Sequence, residues 1–118
     1  MSNPGARASS PRGRARRAAL AYLAVAFPDP QLDLGRVATH AAVTPTHLAH
    51  LFTQHTGRTF LQHLRAHRIA HAQRLLRSPA MSIKAAAYDS GYRYLGRFRR
   101  DFHRVQGVAA SVWRGTLP

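Results

Sequence analysis

The sequence predicts an all-α protein in which two helix-turn-helix subdomains are joined by a long central helix, about seven helices in all. Two observations carry this. Residues 60–77 contain no Gly or Pro and are bounded by Thr59 and by Ser78-Pro79, and within them Phe60, Leu61, Leu64, Ile69, Ala72, Leu75 and Leu76 recur at helical spacing. On either side lies a copy of one pattern: Ala38, Ala42 and Val43 match Ala87, Gly91 and Tyr92 at an offset of 49. Leu48, His50, Phe52 and Gly57 match Phe98, Arg100, Phe102 and Gly107 at an offset of 50, so the second turn is one residue longer. A duplicated unit of helix, short turn and helix is the pattern of a repeated DNA-docking element.

Taken in order, residues 1–13 hold Ser, Pro, Gly, Arg and Ala with no large apolar side chain, which predicts a disordered basic arm. Arg7, Arg12, Arg14, Arg16 and Arg17 could reach a minor groove from it, although a solvated chain start explains them as well. Residues 14–118 are read as the folded domain. Its first helix covers 14–27, with Ala19, Leu23, Ala26 and Phe27 on one face, and stops at Pro28-Asp29-Pro30. Arginines ahead of an apolar run resemble a secretory leader, but the apolar residues keep to one helical face and the run is too short to span a bilayer.

The first helix-turn-helix spans about 32–57. Asp33 is placed to N-cap a helix running to Ala41, and Thr44-Pro45 opens a recognition helix at about 45–55 with Leu48, Leu51 and Phe52 inward and Gly57 as its stop. The second spans about 82–107, with its recognition helix at 94–106. A short helix at 109–114 is expected to pack Val112 and Trp113 against this second unit. On a helical wheel of 60–77, Arg68 falls inside the apolar arc between Leu64, Ala72 and Leu75. An unpaired charge is costly there, so Arg68 should be partly buried and hydrogen-bonded to carbonyls or to an Asp.

Charge points to the partner. Eighteen basic residues, seventeen of them Arg, face only Asp29, Asp33, Asp89 and Asp101, for a formal net charge of +14. Such a surplus repels itself in a compact fold and fits a polyanionic partner, with forked arginines suited to phosphate and guanine. The chain has no Cys, which excludes disulfides, zinc ribbons and thiol chemistry. His63, His67 and His71 line one helical stripe at i, i+4, i+8, but no Cys or carboxylate completes a metal shell, so a packed or solvated stripe is expected and no metal or cofactor. Scattered Asp, no Glu and no phosphate-cradling loop argue against catalysis.

Three groups of residues carry a family resemblance: Thr44-Pro45-x-His47-Leu48-x-x-Leu51-Phe52 with Gly57; Leu64-x-x-x-Arg68-Ile69-x-x-Ala72-x-x-Leu75-Leu76; and Ser82-Ile83 followed by Ala87, Gly91-Tyr92, Phe98-x-Arg100-x-Phe102, Gly107 and Trp113. Over about 17–114 the chain resembles the DNA-binding domain of the AraC/XylS family of bacterial transcriptional regulators. The resemblance implies seven helices in two subdomains, with the third and sixth entering successive major grooves of double-stranded DNA. Carried over by position, it gives Thr46, Ala49, His50, Leu95, Gly96, Arg97 and Arg100 to base edges. It gives Thr44, His47, Arg58, Arg93, Arg99 and Arg104 to the backbone, and structural roles to Arg68, Phe52, Phe98, Phe102, Gly57 and Gly107. Three positions depart from the family pattern: Ala42 where Gly is usual, Arg97 where an aromatic is common, and Ala110 where Pro is usual.

The expected function is therefore a sequence-specific, cytoplasmic and nucleoid-associated DNA-binding regulator, monomeric, touching RNA polymerase and no membrane. A non-specific basic nucleic-acid binder and a protein-binding adaptor or remnant on RNA polymerase are the alternatives. Larger members carry a sensing or dimerisation domain ahead of this module, while here only the arm precedes it, so a short regulator and a fragment of a longer one both fit. Residues 60–77 at a rise of about 1.5 Å give a rod of roughly 27 Å, of the order needed to space two recognition helices by one DNA turn.

Overall fold

The structure is a computed structural model that describes residues 10–118. Among these residues it contains seven helices and no strand: α1 Pro11–Ala26, α2 Leu34–His40, α3 Pro45–Thr56, α4 Phe60–Leu75, α5 Ile83–Asp89, α6 Leu95–Gln106 and α7 Ala110–Gly115. They fall into two compact units. The first holds α1, α2, α3 and the start of α4 through His63; the second holds Phe27–Pro30 and Leu64–Pro118.

Two boundaries differ from the sequence reading by more than one residue. Helix α1 begins at Pro11, not residue 14, because Ser10-Pro11 is an N-cap followed by Pro at the first helical position, and Gly13 N donates to Ser10 Oγ at 3.1 Å. Arg12, Arg14, Arg16 and Arg17 therefore sit on a helix rather than in a loose arm, whereas Arg7 and the rest of the expected arm lie outside the described residues. Helix α4 stops at Leu75, two residues early, since the N–H groups of Arg77 and Ser78 turn back to the carbonyls of Arg74 and Leu75. Two apolar residues expected inside are outside: Leu61 is 54% exposed and Val112 57%.

In the first unit α1, α2 and α3 pack on one another through Ala15, Ala19, Leu23, Val37, Ala38, Leu48, Leu51 and Phe52, all buried. Phe52 also meets the rings of Phe60 and His63, at 6.1 and 5.1 Å between centroids. The second unit encloses Ile69, Ala72, Leu76, Ala86, Ala87, Tyr92, Phe98, Phe102 and Ala110. Its aromatic rings form a chain, Tyr92 to Phe98 to Phe102 to Trp113, with centroids 5.4, 5.7 and 5.7 Å apart.

Helices α2 and α5, the first helix of each helix-turn-helix, end in the same way. Val43 N donates to Ala38 O at 3.0 Å, and Tyr92 N donates to Ala87 O at 3.1 Å, the i to i−5 bond that closes a helix through a left-handed residue. That residue is Ala42 in the first unit, at φ 59°, and Gly91 in the second, at φ 105°. The second turn is longer by one residue, 90–94 against 41–44. At Gly91 space matters as well as φ: a Cβ there would stand 2.6 Å from Phe27 O and 2.7 Å from Arg68 Nε.

Arg68 reaches that point from α4. Its Nε donates to Phe27 O and its Nη2 to Asp29 O, both at 2.9 Å, and its guanidinium lies 5.5 Å from the centre of the Tyr92 ring. It is partly buried, as its place on the wheel requires, and its partners are carbonyls rather than an Asp. Burial pushes its pKa below the ordinary arginine value, against the favourable pull of Tyr92, Asp101 and Asp29. A left-handed alanine costs about 1–2 kcal/mol. Ala42→Gly should therefore raise stability by about 1 kcal/mol net of the greater freedom glycine gains in the unfolded chain, seen as a higher urea midpoint at unchanged slope. Gly91→Ala should lower it by about 3 kcal/mol, since strain and overlap act together there.

Candidate nucleic-acid interface

Helix α3 is capped by Thr44, whose Oγ1 accepts from His47 N at 3.2 Å, so this hydroxyl is already engaged within the helix. Gly57 ends α3 at φ 71° and Gly107 ends α6 at φ 79°, both left-handed. With Leu48, Leu51 and Phe52 inward, the other side of α3 presents Thr46, Ala49, His50 and Thr53, at i, i+3, i+4 and i+7. These line a shallow groove with Pro45 and Leu34. The structure thus brings the expected Thr46, Ala49 and His50 together, with Ala49 half-buried, and adds Thr53, whose Oγ1 donates to Ala49 O at 3.0 Å. His47 and Arg58 are exposed. Helix α3 carries no Arg or Lys.

Helix α6 is the opposite case. Phe98, Asp101 and Phe102 are buried along one side, while Gly96, Arg97, Arg99, Arg100, His103 and Arg104 are exposed. At 100° per residue, Gly96, Arg100, Arg104 and Arg97 follow one another within an arc of about 100° on the exposed side, with Gly96 and Arg100 pointing away from the core and Arg97 at the flank. Arg93, Arg97, Arg99, Arg100 and Arg104 have no hydrogen bond or ion pair among the described residues, so all five guanidinium groups are free to meet an external anion. Leu95 is different: it is half-buried against the second core and offers only part of its surface. Tyr94 stands at the N-cap of α6, makes no side-chain cap bond and is 73% exposed.

Behind α6 lies a polar cluster that sequence reasoning did not find. Asp101 Oδ2 accepts from the Tyr92 hydroxyl at 3.0 Å, and Oδ1 lies 3.5 Å from Arg65 Nε of α4. The signal was available: on the wheel Asp101 falls about 60° from Phe98, at the edge of the apolar arc and facing inward rather than among the arginines. The stripe of histidines is partly buried and packs on neighbouring side chains. His63 Nε2 lies 2.8 Å from Thr56 Oγ1, His67 stacks on Phe27 at 5.5 Å, and His71 meets the same ring edge-on at 5.3 Å. Among the described residues no three His, Cys, Asp or Glu side chains come together to hold a metal.

Burial, then the Asp101 charge and its hydrogen bond, raise the Tyr92 phenol well above the ordinary value near 10. A raised folded-state value means that the native state holds this proton more tightly than the unfolded chain. The stabilisation is therefore complete below about pH 10 and is lost as pH rises through the alkaline range above it. Ultraviolet titration of the four tyrosines should show one late-ionising component, absent in Tyr92→Phe.

This geometry matches known proteins. A family model described as a helix-turn-helix domain matches residues 37–116. The HTH-type transcriptional regulator GlxA of Rhizobium meliloti is 39% identical over 74 residues, covering 63% of this chain and 23% of that protein. The arabinose operon regulatory protein of Escherichia coli is 31% identical over 98 residues, covering 83% and 34%. The chain thus spans about a quarter to a third of the length of the curated relatives it matches. Among solved structures, the C-terminal domain of AraT, a response regulator from Geobacillus stearothermophilus, superposes with a TM-score of 0.83 at 29% identity, covering 87% of this chain and 85% of that one. The DNA-binding domain of AdpA, a global transcriptional factor solved with a target DNA, gives 0.72 at 28% identity, covering 91% and 92%. The chain belongs to the AraC/XylS family of helix-turn-helix domains.

Proposed function

We propose that this protein is a sequence-specific regulator of transcription that binds double-stranded DNA, with α3 and α6 as its two recognition helices, each entering a major groove. The observation that carries this reading is the solvent face of α6. Three arginines without an internal partner, Arg97, Arg100 and Arg104, share it with Gly96, on a helix whose opposite side is locked into a core. The AdpA domain, of the same fold, was solved on a target DNA.

The side chains divide by chemistry. Arg97 and Arg100 are suited to forked contacts with guanine O6 and N7, each worth about 1–3 kcal/mol of discrimination. Arg93, Arg99, Arg104 and Arg58 suit phosphates, together with Thr44 and His47 at the start of α3. Thr46, Ala49 and His50 offer α3 a hydroxyl, a methyl and an imidazole, and Leu95 and Gly96 give α6 limited apolar surface and open space. The second unit should therefore read a G-containing element more sharply than the first reads its own. We assign the protein no catalytic activity and a cytoplasmic place with its DNA, acting as a monomer and touching RNA polymerase.

A non-specific binder is the competing reading, favoured by the net charge of +14. Selection from random DNA followed by competition titration separates the two. A specific site should bind roughly a thousandfold or more tighter than bulk DNA, and recovery of no consensus would remove the specific reading. Arg97→Ala should lose about 1–3 kcal/mol at one base pair and little elsewhere, whereas Arg99→Gln should weaken all sequences alike and flatten the salt dependence by about 0.9 of a log unit per log unit of salt.

A further inference from the structure

Asp101 is the only acidic residue of α6, and of the four acids in the chain it alone is buried. Its helical neighbours at i−4 and i+3 are Arg97 and Arg104, the spacings at which a carboxylate and a guanidinium on a helix surface meet. It pairs with neither. Both of its oxygens turn inward, one to the Tyr92 hydroxyl at 3.0 Å and the other to Arg65 Nε at 3.5 Å. Tyr92 is itself held in place by the edge of Phe98 and by the Arg68 guanidinium. An apolar side chain between Phe98 and Phe102 would fill this space without the desolvation a carboxylate suffers, so packing alone does not account for an acid here.

We propose that Tyr92 is a positioning residue for DNA recognition that acts through Asp101: together with Arg65 it holds the Asp101 carboxylate against the core, which keeps this anion off Arg97 and Arg104 and leaves both unpaired for DNA. This rests on the DNA-binding reading above. Once the inward hold is loosened, the same carboxylate is the nearest anion to both arginines and competes with the nucleic acid for them. Tyr92 is then the latch, and its effect on DNA passes through Asp101.

Four full-length proteins test this: wild type, Tyr92→Phe, Asp101→Asn and the double variant, each assayed below its melting temperature. Tyr92→Phe keeps the ring and removes only the hydroxyl. Its affinity for the selected site should fall roughly three- to fivefold, in line with one or two surface ion pairs that must be broken first. Asp101→Asn alone should bind about as well as wild type. The double variant should recover wild-type affinity although it is no more stable than either single variant. A double variant as weak as Tyr92→Phe, or a Tyr92→Phe protein that binds like wild type, would overturn the proposal.

A DNA-free measurement keeps this separate from the functional reading. In nitrogen-detected NMR of arginine side chains, the Arg97 or Arg104 Nε–H should shift in Tyr92→Phe and return in the double variant. Unchanged Arg97 and Arg104 signals would sink the latch even if DNA binding is confirmed. Failure of wild type to select any sequence would sink the DNA reading, while the NMR comparison still decides where the carboxylate points.

Discussion

The Arg68 guanidinium joins two segments of the second unit that are distant in sequence. By donating to the carbonyls of Phe27 and Asp29 it satisfies backbone that two prolines leave outside any helix, and it anchors residues 27–30 to α4. The turn before α6 passes so close to this bond that only a residue without a side chain fits at position 91. The next residue, Tyr92, stacks its ring under the same guanidinium and sends its hydroxyl to α6. Removing the arginine would take a donor from the carbonyl of buried Phe27, and a buried acceptor left bare costs more than a hydrogen bond contributes.

Charge is managed differently on the two sides of α6. A chain with four acids cannot neutralise eighteen basic residues, and the ion pair of Arg65 with Asp101 lies behind the helix rather than on its solvent face. The core-side cations are engaged by carbonyls, a carboxylate and an aromatic ring, while those on the outer face are left to solvent. Self-repulsion among the outer arginines destabilises the free protein and is relieved by an anion, so the same arrangement weakens the fold and strengthens binding.

Most of the architecture was legible in the sequence because the signals were local. Capping residues, the positive-φ position at each turn and the apolar period fix helices within two or three residues, as Asp33, Thr44-Pro45 and Gly57 show. The misreading at α1 was of the same local kind, since Ser10-Pro11 was read as composition rather than as a cap. Arg68 was legible as an anomaly, but its partners were not, since they lie about forty residues away in a non-helical segment. Leu61 and Val112 look like core residues in any window and are exposed because nothing in the sequence says which side of a short amphipathic stretch a neighbour covers. Asp101 escaped notice for the related reason that its partners come from another helix and a turn.

The bare face of α3 has a kinetic consequence. Screened charges act over about 8 Å at physiological salt, so an arginine-studded helix is drawn toward a duplex before contact, while a surface of threonine, alanine and histidine without a single guanidinium exerts far less pull until it touches. On DNA, α6 would govern how fast the protein arrives and would let it slide from site to site. The first unit would contribute chiefly to how long the protein stays once a matching sequence lies beneath it.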